Sequence, residues 1–155
     1  MQALRRTVTA LAGAAVLALA ACSGGPAGAE EDGTVSAVLI SDPSSFDPAL
    51  AQGQQTFQIV GLLYDTLLCR DGTSGLVGGL ASQWSAESAS EYVFTIRDGA
   101  TCSDGTPITA SVVAESLRYL ASPETGSTWK NLVFGQGDAT ITPDDAAKTV
   151  RVSLS

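Results

Sequence analysis

Three short segments of the chain place apolar residues at alternate positions. Residues 92–96 alternate in this way, and so do residues 139–142 and 149–154 on either side of Pro143-Asp144-Asp145. This spacing predicts that the first segment is a strand and that the other two form a β-hairpin. Residues 35–40 are a β-branched run that precedes a turn sequence, and we expect a buried strand there.

Two other segments have the apolar spacing of helices. Residues 56–68 carry apolar side chains at intervals of three and four, which predicts a helix with one apolar stripe packed into the core. A second helix is predicted over residues 110–120, with Thr109 as its N-cap and Pro123 after its end. The first stripe comprises Phe57, Ile59, Val60, Leu63, Tyr64 and Leu67, and the buried face of the second helix comprises Val113, Leu117 and Leu120.

The remaining segments have the composition of loops and turns. We expect a loop over residues 44–55 and a Gly-rich turn over residues 70–79. Residues 80–90 show no strong period, and Trp84 is expected to cover the edge of the core. Helices and strands together predict an α/β protein of the mixed α+β kind.

The first 33 residues have the composition of an export signal followed by a tether. Arg5 and Arg6 precede an apolar run that is shorter than the roughly 20 residues of a membrane-spanning helix, which is typical of a secretory signal. Leu19-Ala20-Ala21-Cys22 resembles a bacterial lipobox, which implies cleavage before Cys22 and attachment of lipid to its thiol. An ordinary signal peptide with a chance cysteine is the alternative. Residues 22–33 are rich in Ser, Gly and Ala and are predicted to be a flexible tether.

Charge and composition exclude several classes of function. The chain has 155 residues, with 8 basic and 16 acidic side chains, and this acidity disfavours a nucleic-acid partner. It has no His, so it cannot by itself form a Ser-His-Asp or Cys-His catalytic site. Removal of residues 1–21 would leave 6 basic and 16 acidic residues, a balance that keeps an exported domain soluble.

Two cysteines remain once Cys22 is assigned to lipid. An even pair in an exported chain favours a disulfide between Cys69 and Cys102. Two unpaired buried thiols are the alternative.

No constellation of residues in the sequence predicts catalysis, a metal or another cofactor. Asp98 and Asp104 each precede a glycine, and turn formation explains them better than a general acid–base pair does. The glycines of residues 72–79 are not followed by Gly-Lys-Ser/Thr, so they do not form a phosphate-binding loop.

An ordered series of short motifs resembles the N-terminal part of the family 5 extracellular solute-binding proteins. That family comprises the peptide- and nickel-type receptors of ABC importers. The motifs are Ser45-Phe46-Asp47-Pro48-Ala49, Leu63-Tyr64-Asp65-Thr66-Leu67-Leu68, Leu80-Ala81-Ser82-Gln83-Trp84, Tyr92-Val93-Phe94-Thr95-Ile96-Arg97-Asp98-Gly99 and Ser103-Asp104-Gly105-Thr106-Pro107-Ile108-Thr109-Ala110.

The resemblance implies that residues 34–155 form part of one lobe of a two-lobed periplasmic-binding-protein-like fold. The implied function is to bind an oligopeptide or another small solute outside the membrane and deliver it to the permease subunits of an ABC importer. The protein is then not an enzyme, and only its lipid anchor touches the membrane. The alternatives are a secreted enzyme whose catalytic residues follow Ser155, and a sensing or adhesion lipoprotein. The apolar face of residues 150–154 favours the view that more chain follows and covers it.

By position, Gln52, Gly53 and Gln54 match the family's loop that reaches the ligand cleft. Their amide groups and bare backbone suit hydrogen bonds to the main chain of a ligand. An exposed polar loop that merely caps the helix is the alternative. The chain departs from the family at Ser111, where an acidic residue is common, and at Cys102, where a bulky apolar residue is usual. A disulfide from Cys102 to Cys69 would explain the second exchange.

Overall fold

Three helices and six strands form in the part of the chain that the computed structural model describes, which is Ser36, residues 38–73 and residues 75–155. Two 3₁₀ turns, Pro48–Leu50 and Pro123–Thr125, lie in the loops. Within these described residues, no helix has the length and apolar character needed to cross a membrane. In chain order the elements are α1 (Gln54–Leu63), β1 (Leu68–Arg70), β2 (Leu76–Gly78), β3 (Ala81–Ala86), β4 (Glu91–Ile96), α2 (Ala110–Ala121), α3 (Lys130–Phe134), β5 (Ala139–Asp144) and β6 (Thr149–Leu154).

The main sheet has four antiparallel strands in the order β3-β4-β6-β5. Strand β6 lies between its neighbours, with Val152 opposite Ile141 of β5 and Val150 opposite Phe94 of β4. The predicted strand over residues 92–96 and the predicted hairpin are therefore confirmed. Strands β1 and β2 form a separate two-stranded hairpin.

Helix α2 covers one face of this sheet and forms the core with it. The Thr109 side chain accepts a hydrogen bond from the Val112 N–H, which confirms the predicted N-cap. Val150 and Val152, on the apolar face of β6, are buried in this core. The buried core residues are Ile96, Ala110, Val113, Ala114, Phe134, Ile141, Val150 and Val152.

The strand predicted over residues 35–40 is wrong for the residues of that segment that the structure describes. Ser36 and residues 38–40 belong to no strand. Val38 is 98% exposed and Ile40 is 93% exposed. A β-branched run fits a pleated surface only where a neighbouring strand pairs with it, and here no described strand does so.

Helix α1 is shorter and less buried than the sequence predicted. It ends at Leu63, and Leu68 already begins strand β1. The prediction that its apolar stripe packs into the core is wrong, because Phe57 is 42% exposed and Leu63 is 57% exposed. The only residue of α1 that is fully buried is Thr56. Apolar periodicity thus predicted the helix correctly, but it does not specify what packs against the stripe.

Four elements escaped prediction, namely strands β1, β2 and β3 and helix α3. The Gly-rich segment folds into the β1–β2 hairpin, whose loop is held by Asp71: its Oδ1 atom accepts hydrogen bonds from the Thr73 and Gly75 N–H groups. Strand β3 was missed because only Ala81 in it is buried, so the strand carries no apolar alternation. Trp84, expected to cover the core edge, is exposed at 40%.

Candidate functional site

The three residues predicted to contact a ligand lie together where α1 begins. Gln52 and Gly53 precede the helix, and Gln54 is its first residue. All three are exposed. We call residues 52–54 the amide loop.

Gly53 gives the amide loop a backbone that other residues rarely adopt. Its φ is 80° and its ψ is 156°, a region occupied almost only by glycine. As the N-cap of α1, it offers no side chain to bond the N–H groups of the first helical turn. Those N–H groups have no partners inside a helix, so an external acceptor can bind them. The amide loop therefore combines exposed backbone donors with two exposed side-chain amides.

The residues before the amide loop are fixed by local hydrogen bonds. The Asp47 Oδ1 atom accepts from the Ala49 N–H at 2.8 Å and so caps the 3₁₀ turn Pro48–Leu50. The Ser44 N–H donates to the buried Thr56 hydroxyl at 3.0 Å, and the Ser44 hydroxyl donates to the Gln52 carbonyl at 3.3 Å. Ser44 thereby links the start of the amide loop, at Gln52, to the first turn of α1, at Thr56.

The end of α2 and the residues that follow it also hold this region. The Tyr119 phenol donates to Asp47 Oδ2 at 2.7 Å, and the Ser127 hydroxyl donates to the Ala49 carbonyl at 2.6 Å. The Trp129 Nε1 atom donates to the Ala51 carbonyl at 2.8 Å. The sequence analysis missed these residues, because partners 72 to 78 positions apart leave no periodic signal.

An aromatic pair lies beside the amide loop. The rings of Phe57 and Trp129 are 5.1 Å apart, centroid to centroid, and meet edge to face at 79°. This arrangement is favourable for aromatic quadrupoles. Since Phe57 is half-exposed, the pair adds apolar surface next to the polar loop.

The charge at Asp47 acts on Tyr119. The hydrogen bond to the Asp47 carboxylate raises the pKa of the Tyr119 phenol. Folding thereby favours the protonated phenol, so Tyr119 remains a donor to Asp47 at neutral pH.

The aspartates considered as an acid–base pair have structural partners instead. Asp98 forms an ion pair with Lys148. Asp104 accepts a hydrogen bond from the Thr106 N–H at 2.9 Å, and this backbone bond, with one from the Thr106 side chain, lowers the pKa of Asp104. Gly99 and Gly105 have φ values of 69° and 86°, which confirms the two predicted turns. Among the described residues, no group of three or more Cys, Asp or Glu side chains could hold a metal ion.

At Ser111, where the family commonly has an acidic residue, a carboxylate from another part of the chain supplies the negative charge at the start of α2. The Asp145 carboxylate, from the β5–β6 turn, accepts from the Ser111 N–H at 2.8 Å and from its hydroxyl at 2.7 Å. The hydroxyl and N–H of Ser111 lower the pKa of Asp145. The carboxylate therefore contributes stability above its unfolded pKa of about 3.9. That contribution is lost as the pH falls through the lower folded value.

The cysteine predictions have different outcomes. Cys22 lies outside the described residues. Cys69 on β1 and Cys102 in the loop before α2 are both exposed free cysteines in the structure, so the alternative of two buried thiols is wrong. The predicted disulfide is not formed there, and the pairing stays a prediction for the exported protein.

A shallow depression of about 490 Å³ lies at the end of α2, apart from the three residues of the amide loop. Its lining mixes both signs of charge. It is lined by Glu115, Arg118, Tyr119, Ser122, Glu124 and Thr125.

Comparison with known sequences identifies the family. Residues 75–155, just over half of the chain, match the sequence profile of the bacterial extracellular solute-binding proteins, family 5, middle part. The chain belongs to this family. The resemblance drawn from the short motifs is therefore confirmed.

Curated relatives in the family are much longer than this chain. The periplasmic murein peptide-binding protein MppA of Escherichia coli K12 is 33% identical over 108 residues, which are 68% of this chain and 20% of MppA. The periplasmic oligopeptide-binding protein OppA of Salmonella typhimurium is 32% identical over 89 residues, 57% of this chain and 16% of OppA. The matched part of the chain spans between about a sixth and a fifth of the length of these relatives.

Solved structures confirm the fold class. A substrate-binding protein from Microbacterium hydrocarbonoxydans, solved with 4-hydroxybenzoate hydrazide, has a TM-score of 0.64 and 45% identity, covering 73% of this chain and 23% of that one. Escherichia coli MppA has a TM-score of 0.63 and 31% identity, covering 73% of this chain and 25% of its own. The chain therefore has a mixed α+β fold that corresponds to part of a lobe of a two-lobed periplasmic binding protein.

Proposed function

We propose that this chain belongs to the substrate-binding component of an ABC importer, which binds oligopeptides outside the membrane and delivers them to permease subunits. Membership of the solute-binding family supports a binding role rather than a catalytic one. Relatives named for peptide binding support the oligopeptide as the class of solute.

The amide loop carries this proposal. A peptide main chain presents N–H donors and carbonyl acceptors in alternation, and Gln52 and Gln54 offer both kinds of group in their exposed side chains. Gly53 exposes its backbone, so a ligand strand can approach closely. The support described for Asp47, Ala49 and Ala51 holds these groups in place before the ligand arrives, which lowers the entropic cost of binding.

A small aromatic amide is the second candidate solute. The Microbacterium protein was solved with an aromatic hydrazide, and it shares more identity with this chain than MppA does. The Phe57–Trp129 pair next to the amide loop offers the apolar surface that an aromatic ring would need. Titration with short peptides and with 4-hydroxybenzoate hydrazide in parallel separates the two candidates, because each predicts tighter binding of its own probe.

Replacement of both amide side chains tests the role of the loop. We expect Gln52→Ala combined with Gln54→Ala to weaken peptide binding about tenfold. Each lost hydrogen bond contributes about 0.5–1.5 kcal/mol, and about 1.4 kcal/mol corresponds to a factor of ten. Isothermal titration of the protein that carries this chain with a pool of short peptides measures the effect.

The matched control for this experiment is Gln83→Ala, which removes an exposed amide from strand β3. It should leave the affinity unchanged. An alanine double variant that binds peptides as tightly as the wild type would show that the amide loop does not contact the solute.

We further propose that residues 1–21 are a lipoprotein signal peptide, that residues 22–33 are a tether, and that Cys22 carries the lipid. This places the solute-binding residues outside the cytoplasm and close to a membrane permease. The support is the charged and apolar pattern before Leu19-Ala20-Ala21-Cys22.

The Cys22→Ala variant should move the protein from the membrane fraction to the soluble fraction and abolish labelling by a fatty-acid analogue. Two acyl chains anchor a protein stably, whereas the acidic domain has no electrostatic attraction to anionic lipid. Cys69→Ala is the matched control and should keep both membrane retention and label. Wild-type retention of the Cys22→Ala protein would contradict lipidation at this residue.

A further inference from the structure

We propose that Tyr119 is a positioning residue for the amide loop, acting through Asp47 rather than by touching the solute. The inference rests on the proposed function of the amide loop. The three hydrogen bonds from Tyr119, Ser127 and Trp129 to the segment that precedes the loop are called the latch.

Asp47 connects the 3₁₀ turn Pro48–Leu50 to helix α2. Its Oδ1 atom accepts from the Ala49 N–H within the 3₁₀ turn, and its Oδ2 atom accepts from the Tyr119 phenol at the end of α2. One carboxylate therefore fixes the turn locally and also ties it to a helix that packs on the main sheet. Movement of the turn away from α2 would break the charge-assisted bond to Oδ2.

The latch continues along the chain toward the amide loop. Ser127 donates to the Ala49 carbonyl and Trp129 donates to the Ala51 carbonyl. Every second residue from Asp47 to Ala51 is therefore bonded to a side chain within residues 119–129. Ala49 and Ala51 are buried, with 5% and 1% of their surface exposed. Gln52 follows at once and is exposed. The position of the amide loop is thus determined at its base, while its tip stays open to a ligand.

Tyr119 suits a test of positioning because it contributes little to the core. Its side chain is half-exposed, and its hydroxyl has one protein partner in the structure, Asp47. Tyr119→Phe removes that oxygen and leaves the ring. Tyr92→Phe is a matched control, since the Tyr92 hydroxyl makes one hydrogen bond, to the Ala89 carbonyl at 3.0 Å in another part of the sheet.

Tyr119→Phe should weaken peptide binding about fivefold, while the melting temperature falls no further than in Tyr92→Phe. Hydrogen–deuterium exchange should become several-fold faster at the hydrogen-bonded amides of Ala49, Leu50 and Phe57, which bind Asp47 or Gly53, and stay unchanged in strands β4 and β6. The reason is that loss of a net hydrogen bond of about 1 kcal/mol makes opening of the loop about fivefold more frequent. Ser127→Ala should accelerate the same amides.

Exchange needs no solute, so it tests the latch separately from the proposed function. Wild-type protein that binds neither peptide nor hydrazide would overturn the proposed function, even if Tyr119→Phe accelerates exchange at Ala49, Leu50 and Phe57. Unchanged exchange at Ala49, Leu50 and Phe57 in Tyr119→Phe would overturn the latch. Faster exchange throughout the domain, with a larger loss of melting temperature than in Tyr92→Phe, would show a general structural role and would also overturn it.

Discussion

Substitution of Gly53 by Ala should destabilise the protein by about 1–3 kcal/mol, because its φ of 80° and ψ of 156° lie in a region that is costly for any residue with a Cβ atom. Space is not the obstacle, since the nearest atom to an added Cβ is Gln55 Oε1 at 3.9 Å. The strain is relieved only if the backbone moves. We therefore expect peptide affinity to fall about tenfold as the N–H groups of the first turn of α1 change direction.

The matched control is Gly61→Ala, the same exchange in the last turn of the same helix. An added Cβ at Gly61 meets nothing within 4 Å, and alanine is favoured over glycine in a helix by about 0.8–1 kcal/mol. Denaturant unfolding should therefore show opposite signs for the two variants. A Gly53→Ala protein with wild-type stability and wild-type affinity would contradict the strained conformation and its role in binding.

Substitution of Phe134 by Ala should cost about 3–5 kcal/mol of folding free energy. Phe134 ends helix α3 and is 4% exposed in the core formed by α2 and the main sheet. The cavity that the variant leaves would loosen α3. Trp129 is the N-cap of that helix and binds the Ala51 carbonyl, so the loss should also reach the amide loop.

Val133→Ala provides the control, because Val133 precedes Phe134 in α3 and is half-exposed. Exposed substitutions usually change stability by no more than about 0.5 kcal/mol. Equilibrium unfolding in urea measures both variants. Equal stability of the two variants would show that Phe134 does not pack in the core as described.

The elements predicted correctly have complete local signals. The β5–β6 hairpin has alternation on both strands, although its turn lies at residues 145–148 and the predicted turn residues Pro143 and Asp144 belong to β5. Helix α2 combines an apolar face with the Thr109 cap and a following Pro123. These signals require no knowledge of the rest of the fold. The hairpin and α2 form the core because they bury their apolar side chains against each other.

The wrong predictions concern elements whose burial or pairing depends on residues far away in the sequence. The apolar stripe of α1 predicts a helix wherever it is placed, and nothing in its sequence tells whether the stripe is covered. Strand β3 is polar at half of its positions and shows no alternation, so it forms a strand because β4 pairs with it rather than because of its own pattern. Residues 35–40 have strand propensity without a described partner.

The candidate site shows the same division. The amide loop was predicted from resemblance to a family, since a Gln-Gly-Gln sequence has no chemistry that distinguishes a ligand contact from an ordinary polar loop. Tyr119, Ser127 and Trp129 could not be predicted, because their hydrogen bonds connect segments that are 72 to 78 residues apart. The Asp145–Ser111 contact was missed for the same reason, over a separation of 34 residues.

A crystal structure of the protein that carries this chain, grown with a bound oligopeptide, tests the central claim most directly. The predicted result is that main-chain atoms of the peptide lie about 2.7–3.2 Å from polar atoms of Gln52, Gly53 or Gln54, with the Tyr119–Asp47 hydrogen bond intact. A peptide bound in the cleft with residues 52–54 remaining in contact with solvent alone would contradict the claim.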